Sequence, residues 1–120
     1  MPVNTSARGK SGEAAAERFL EQAGMTIIER NFRAERGEID LIAEDGGDIV
    51  FVEVKTWSRF GIESLEFSIS EKKQRRIIET AKFFLSKYRK YSSMGIRFDV
   101  VFIAPEGAPV HLVSAFSEHV

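Results

Sequence analysis

The stretch GEIDLIAEDGGDIVFVEVK, Gly37 to Lys55, decides how the rest of the chain is read. Two apolar, β-branched runs flank Asp45-Gly46-Gly47-Asp48, and that combination of strand and turn residues predicts a β-hairpin. A hairpin symmetric about Gly46-Gly47 sets Asp40 opposite Glu53 and Glu38 opposite Lys55, for a short or a longer loop alike. Strand side chains alternate, so Glu38, Asp40, Glu53 and Lys55 share one side. Ile39, Leu41, Ala43, Val50, Val52 and Val54 form the opposite, core-facing side.

Carboxylates directly opposed on neighbouring strands repel each other, and both residue types are poor strand formers. A divalent cation offsets that cost. Mg²⁺ takes oxygen ligands, often one or two carboxylates, and keeps water or substrate phosphate in its remaining positions. Lys55, at the next same-face position after Glu53, either pairs with Glu38 or orients and deprotonates a water near such a metal. A single acid here would read as ordinary surface charge, since an antiparallel hairpin commonly has one polar face. The convergence of an acid pair, a lysine and flanking acids points instead to a site.

Working outward, Met1 to Gly9 has little apolar content and reads as a loose arm before a single domain over residues 10–120. A helix is expected from about Lys10 to Ala23, with Ser11 as N-cap and Gly24 at its stop; Ala16, Phe19, Leu20 and Ala23 share one face. Glu13 projects onto that stripe, either to complement the helix dipole or to serve a site. MTIIERNFRA, from Met25, reads as a strand before the hairpin, and SRFGIESLEFSIS as a loop. Ser70 then caps a helix to about Tyr91, with Ile77, Ile78, Ala81, Phe84, Leu85 and Tyr88 on its apolar stripe and Phe83 off it. RFDVVFI and VHLVSAF, separated by the turn PEGAP, are the last two strands. The order αβββαββ predicts an α/β fold with a central mixed sheet carrying helices.

A chain of 120 residues with 43% hydrophobic content supports one core and one domain. It contains no cysteine, which excludes disulfides, thiolate metal sites and cysteine nucleophiles. Neither a signal-peptide core nor a membrane-length apolar run is evident, so the cytoplasm is the expected compartment and no membrane partner is expected. The net charge of -1 conceals a basic segment: Glu71 to Lys90 holds eight basic residues (Lys72, Lys73, Arg75, Arg76, Lys82, Lys87, Arg89, Lys90) against two acids. A solvated helix face accounts for this, and so does a polyanionic partner. His111 and His119 have no partner spacing, and surface or core roles are the default.

The Asp, spacer, Glu-x-Lys arrangement of Asp40, Glu53 and Lys55 resembles the PD-(D/E)-x-K signature of the restriction-endonuclease-like nuclease superfamily. More narrowly, GEAAAERFL, RNFRAERGEIDLIAED, FVEVKTW, EKKQRRI and RFDVVFI together resemble the YraN family of bacterial proteins, related to Holliday-junction resolvases, from about Gly12 to Ile103. The resemblance implies a restriction-endonuclease-like fold and a Mg²⁺- or Mn²⁺-dependent centre that cleaves phosphodiesters. In it Asp40 and Glu53 would be metal ligands, Lys55 would position or activate water, and Glu13 would complete the acidic cluster. Gln74 matches a helix position that can approach the site in resolvase-like relatives, and Glu38 flanks it. Ile39 stands where the signature has proline, and Trp57 where family members often carry a basic residue.

These observations lead to an expected metal-dependent endonuclease acting on DNA, branched or repair intermediates included. Arg30, Arg33, Arg36, Lys72, Arg75 and Lys82 would hold backbone phosphates. Two rivals remain: a nucleic-acid-binding module that keeps the fold without cleaving, and an adaptor whose basic helix docks on an acidic protein. Resolvase-like relatives act as symmetric dimers, and by analogy so would this chain.

Overall fold

The computed structural model describes residues 5–56, 69–104 and 108–118, with side chains from residue 12 onward. The turn at Gly46-Gly47 is the starting point of the architecture. Gly46 has φ 61° and Gly47 does not enter the positive region, the sign pattern of a type II′ turn, so β2 (Gly37–Asp45) and β3 (Asp48–Thr56) meet with a twist that suits a hairpin. Their register runs Leu41↔Val52 through Asp45↔Asp48, the symmetric pairing that the sequence predicts. On the other side of β2, β1 (Thr26–Ala34) pairs antiparallel.

β3 then leads by a crossover through α2 (Glu71–Lys87) into β4 (Gly95–Ile103), which pairs parallel to it. β5 (Val110–Phe116) returns antiparallel along β4. The sheet order is β1-β2-β3-β4-β5, a mixed sheet as expected. Its two faces bury different side chains. Ala16 and Leu20 of α1 (Thr5–Gln22) pack with Leu41, Ala43, Val50, Val52 and Val101. Ile77, Ile78, Ala81 and Phe84 of α2 pack with Ile42, Ile49, Phe51 and Phe98. Because successive residues of β2 and β3 go to different clusters, α1 and α2 cover opposite faces.

Ser70 caps α2 as anticipated, its Oγ accepting the Lys73 N–H at 3.1 Å. The helix stops at Lys87 rather than near Tyr91. Tyr88 leaves helical geometry at φ -114°, and a 3₁₀ turn at Arg89–Tyr91 carries Tyr91 into a stack on Phe84. At the other end of the chain α1 begins at Thr5, ahead of the expected Lys10. Ser11 is therefore interior to the helix and not at its N-cap position, since a glycine such as Gly9 weakens a helix without ending it. The loop expected over SRFGIESLEFSIS lies, for residues 58–68, outside the described residues, as do Trp57 and His119.

Candidate active site

The hairpin ladder stops at Leu41↔Val52, and the residues just beyond that pair make the site. Asp40 has no backbone pairing partner on either side. Asn31, which faces it from β1, takes a left-handed φ of 51°, a conformation asparagine tolerates better than most residues. In place of a ladder bond, the Val54 N–H donates to Asp40 Oδ2 at 2.8 Å, so a carboxylate is inserted between the strands. The irregularity also corrects one expectation: Ile39 joins Phe32 and the α2-side cluster instead of packing with Leu41.

Glu53 points into the same cleft with only 7% of its side chain exposed, and Lys73 from the first turn of α2 meets its Oε1 at 2.7 Å. The cleft, about 340 Å³, is lined by Arg36, Gly37, Glu38, Asp40, Glu53, Lys73, Arg76 and Ile77. Two close approaches bring the elements together. A Cβ on Gly37 would lie 2.9 Å from Thr80 Oγ1, which draws the start of β2 against α2. A Cβ on Gly12 would lie 2.8 Å from Thr56 Oγ1, which sets the N-terminal half of α1, and Glu13 with it, beside the end of β3.

Electrostatics follow from that geometry. Burial, then the charge of Glu53, pushes the Asp40 carboxyl up to about 7, and Glu13 and Glu38 add smaller repulsions. The Val54 hydrogen bond opposes them. Burial lowers the basicity of Lys55, with the Lys73 ammonium acting in the same direction and Glu53 and Asp40 opposing both. Lys73 goes the other way: burial works against its charge, and its contact with Glu53 more than compensates. Asn31, with its amide oriented to donate, reaches Glu38 Oε1 at 3.2 Å and Glu13 Oε2 at 3.1 Å, joining the two flanking acids.

Among the described residues, no three acidic or imidazole side chains come together as a set that could hold a metal ion. The donor set present is two carboxylates with an open cleft. One Asp40 oxygen is left over after Val54 and one Glu53 oxygen after Lys73, and that set fits a small hard cation that keeps most of its water.

The structure thus brings together Asp40, Glu53 and Lys55, with Glu13 and Glu38 nearby and Arg36 on the cleft wall. The other basic candidates are engaged elsewhere or stand apart. Arg30 forms a two-point pair with Glu17 at 2.5 and 2.7 Å, Arg33 reaches Glu38 at 3.4 Å, and Lys82 pairs with Glu118. Lys72 is exposed on α2. Arg75 lines a separate hollow with Gln74, whose amide donates to the Ile69 carbonyl at 3.2 Å.

Lys73 and Arg76 are the cleft residues that sequence reasoning did not single out as site candidates; their signal was the basic EKKQRRI run, from which Lys72 and Arg75 were chosen instead. A second polar cluster also went unforeseen. Asp99, wholly buried, accepts two bonds from Arg97 (3.0 and 2.9 Å), one from the Ser114 N–H at 3.0 Å, and lies 2.7 Å from His111 Nε2. Arg97 also reaches Asp45 beside the hairpin turn at 2.9 Å.

Among the described residues, no helix is long and apolar enough to cross a membrane. The chain is 42% identical to a UPF0102 protein of Treponema pallidum over 98% of both chains. It is 45% identical to a UPF0102 protein of Persephonella marina, over 91% of this chain and 92% of that one, and 46% identical to one of Hahella chejuensis over 78% and 74%. The model of the uncharacterised protein family UPF0102 matches residues 12–103, the span from the glycine beside Glu13 through the last residue of β4. The chain belongs to the UPF0102 family.

Proposed function

We propose that this protein is a divalent-metal-dependent, endonuclease-like hydrolase of DNA phosphodiesters on a restriction-endonuclease-like fold, with branched or repair intermediates among its substrates. The observation that carries this reading is the Asp40–Glu53 pair, held in one cleft beside two lysines at evident electrostatic cost to Asp40. Asp40 and Glu53 would hold Mg²⁺ or Mn²⁺, with Glu13 and Glu38 flanking. Such an ion polarises a phosphoryl oxygen and lowers the pKa of its bound water.

The chain's own groups do the rest. Lys55, less basic than an ordinary lysine because it is half-buried beside Lys73, orients the attacking water and accepts its proton. Arg36 and Arg76 on the cleft wall hold phosphate oxygens, while Lys72 and Arg75 extend the basic surface along α2. The same reading has the protein work in the cytoplasm as a symmetric dimer.

The test is calorimetric titration of Mg²⁺ and Mn²⁺ into wild type and Glu53→Ala, followed by assays on linear, flapped and four-way-junction DNA. Metal binding and cleavage are expected to disappear together in the variant. Full Mg²⁺-dependent cleavage by Glu53→Ala would show the site to be misassigned. The Lys73–Glu53 ion pair favours one rival, a binding module that no longer cleaves, because a carboxylate already matched by an ammonium group has no need of a metal. That rival predicts salt-sensitive DNA binding that survives loss of both Asp40 and Glu53.

A further inference from the structure

The PD-(D/E)-x-K resemblance accounts for one lysine at the carboxylates, and two lysines approach them. Lys55 comes from β3 itself. Lys73 comes from α2, across the cleft, and its Nζ lies 2.7 Å from Glu53 Oε1, the distance of a charge-assisted hydrogen bond. The two partners differ in freedom. Glu53 is 7% exposed on a central strand, whereas Lys73 is 39% exposed on a long, flexible stem. Beside it on the cleft wall stand Arg36 and Arg76, the side chains best placed for a phosphate backbone.

Glu53 is already matched in charge by Lys73. A divalent ion added to that set would face an ammonium that hydrogen-bonds one of its own ligands. Lys73, partly exposed on the first turn of α2, can swing toward solvent. We infer that Lys73 is a built-in counter-cation: its ammonium holds the cation position on Glu53, leaves when a divalent ion binds, and is then free to contact a phosphate oxygen of the substrate. This rests on the metal-site reading proposed above.

The consequence is that binding-competent protein is only the fraction in which the pair is open, so the apparent metal affinity is reduced by that fraction. Lys73→Met removes the competitor. Manganese and magnesium chloride titrated into the DNA-free protein should bind Lys73→Met about tenfold more tightly than wild type, as expected if the pair is closed roughly nine-tenths of the time. Lys72→Met deletes the same charge from an exposed neighbouring position and should shift affinity by no more than about twofold. Lys73→Gln, which keeps a polar tip, should follow Lys73→Met, and melting curves will establish that each variant is folded.

With Ca²⁺ present to load the site, anisotropy of a labelled four-way junction should give a log–log salt slope shallower by about one for Lys73→Met, the loss of one phosphate contact. If wild type binds metal and Lys73→Met binds it no more tightly than Lys72→Met does, the counter-cation is overturned while the nuclease reading stands. An unchanged salt slope overturns the second role of Lys73. Absence of metal binding in every protein, Lys73→Met included, removes the nuclease reading and this inference together.

Discussion

Asp40→Asn should make the protein more stable, and only above a certain pH. The carboxyl of Asp40 is displaced from 3.8 to about 7 in the folded chain, first by burial and then by Glu53. Between those values the folded state holds a proton that the unfolded state has released, so wild-type stability declines as pH rises through that window and is lowest above it. The displacement corresponds to a ceiling of about 4 kcal/mol at pH 8. The cleft is open to water, so a gain of about 2 kcal/mol is the working expectation.

Asparagine is nearly isosteric, and its carbonyl oxygen can still accept the Val54 N–H. The assay is urea denaturation of wild type and variant, with EDTA present, at several pH values from 4 to 8. The two proteins should be nearly equal at pH 4 and should diverge as pH increases. A dication should then reverse the order, because Mg²⁺ stabilises only the protein that binds it. Equal stability at pH 8, or a gain that does not change with pH, would refute the claim that Asp40 is buried against a second negative charge.

Two further outcomes test the packing around the site. Asp99→Ala removes a wholly buried carboxylate from Arg97, His111 and the Ser114 N–H, leaving Arg97 its contact with Asp45, and should cost about 3 kcal/mol by chemical denaturation, whereas a loss under about 1 kcal/mol would mean the cluster is not an integral ion network. Gly37→Ala puts a Cβ 2.9 Å from Thr80 Oγ1 and 3.4 Å from the Arg76 carbonyl and should destabilise by about 1–3 kcal/mol; Thr80→Ala in the same chain should relieve much of that, and simple additivity of the two would show that the contact is not tight.

The hairpin was legible because three local signals agree there: turn chemistry, alternation, and a register fixed by the symmetry of Gly46-Gly47. The Ser70 cap was legible for a similar reason, since its bond to the Lys73 N–H spans only one helical turn. What escaped were contacts between elements distant in the chain. Lys73 reads as one more cation on a basic helix until the fold turns it toward Glu53. Arg97, Asp99 and His111 alternate with apolar neighbours like surface residues, and only the pairing of β5 with β4 gathers them around the buried Asp99. Ile39 was misplaced because strict alternation holds only in an unbroken ladder, and the ladder is interrupted at Asp40. The early start of α1 shows how little a single glycine says about a helix boundary.

The tie between α2 and β3 also governs which part of the chain is free to vary. Ser70 holds the first turn of the helix, and Lys73 from that turn is joined to Glu53, so both ends of the β3-to-α2 connection are anchored independently of its length. Loop-closure entropy changes slowly, by about 0.6 kcal/mol for each doubling of length. Insertions or deletions between Trp57 and Ser68 can therefore accumulate during divergence without moving a carboxylate or a lysine of the cleft. The cleft can thereby keep its geometry while the length of chain between β3 and α2 changes.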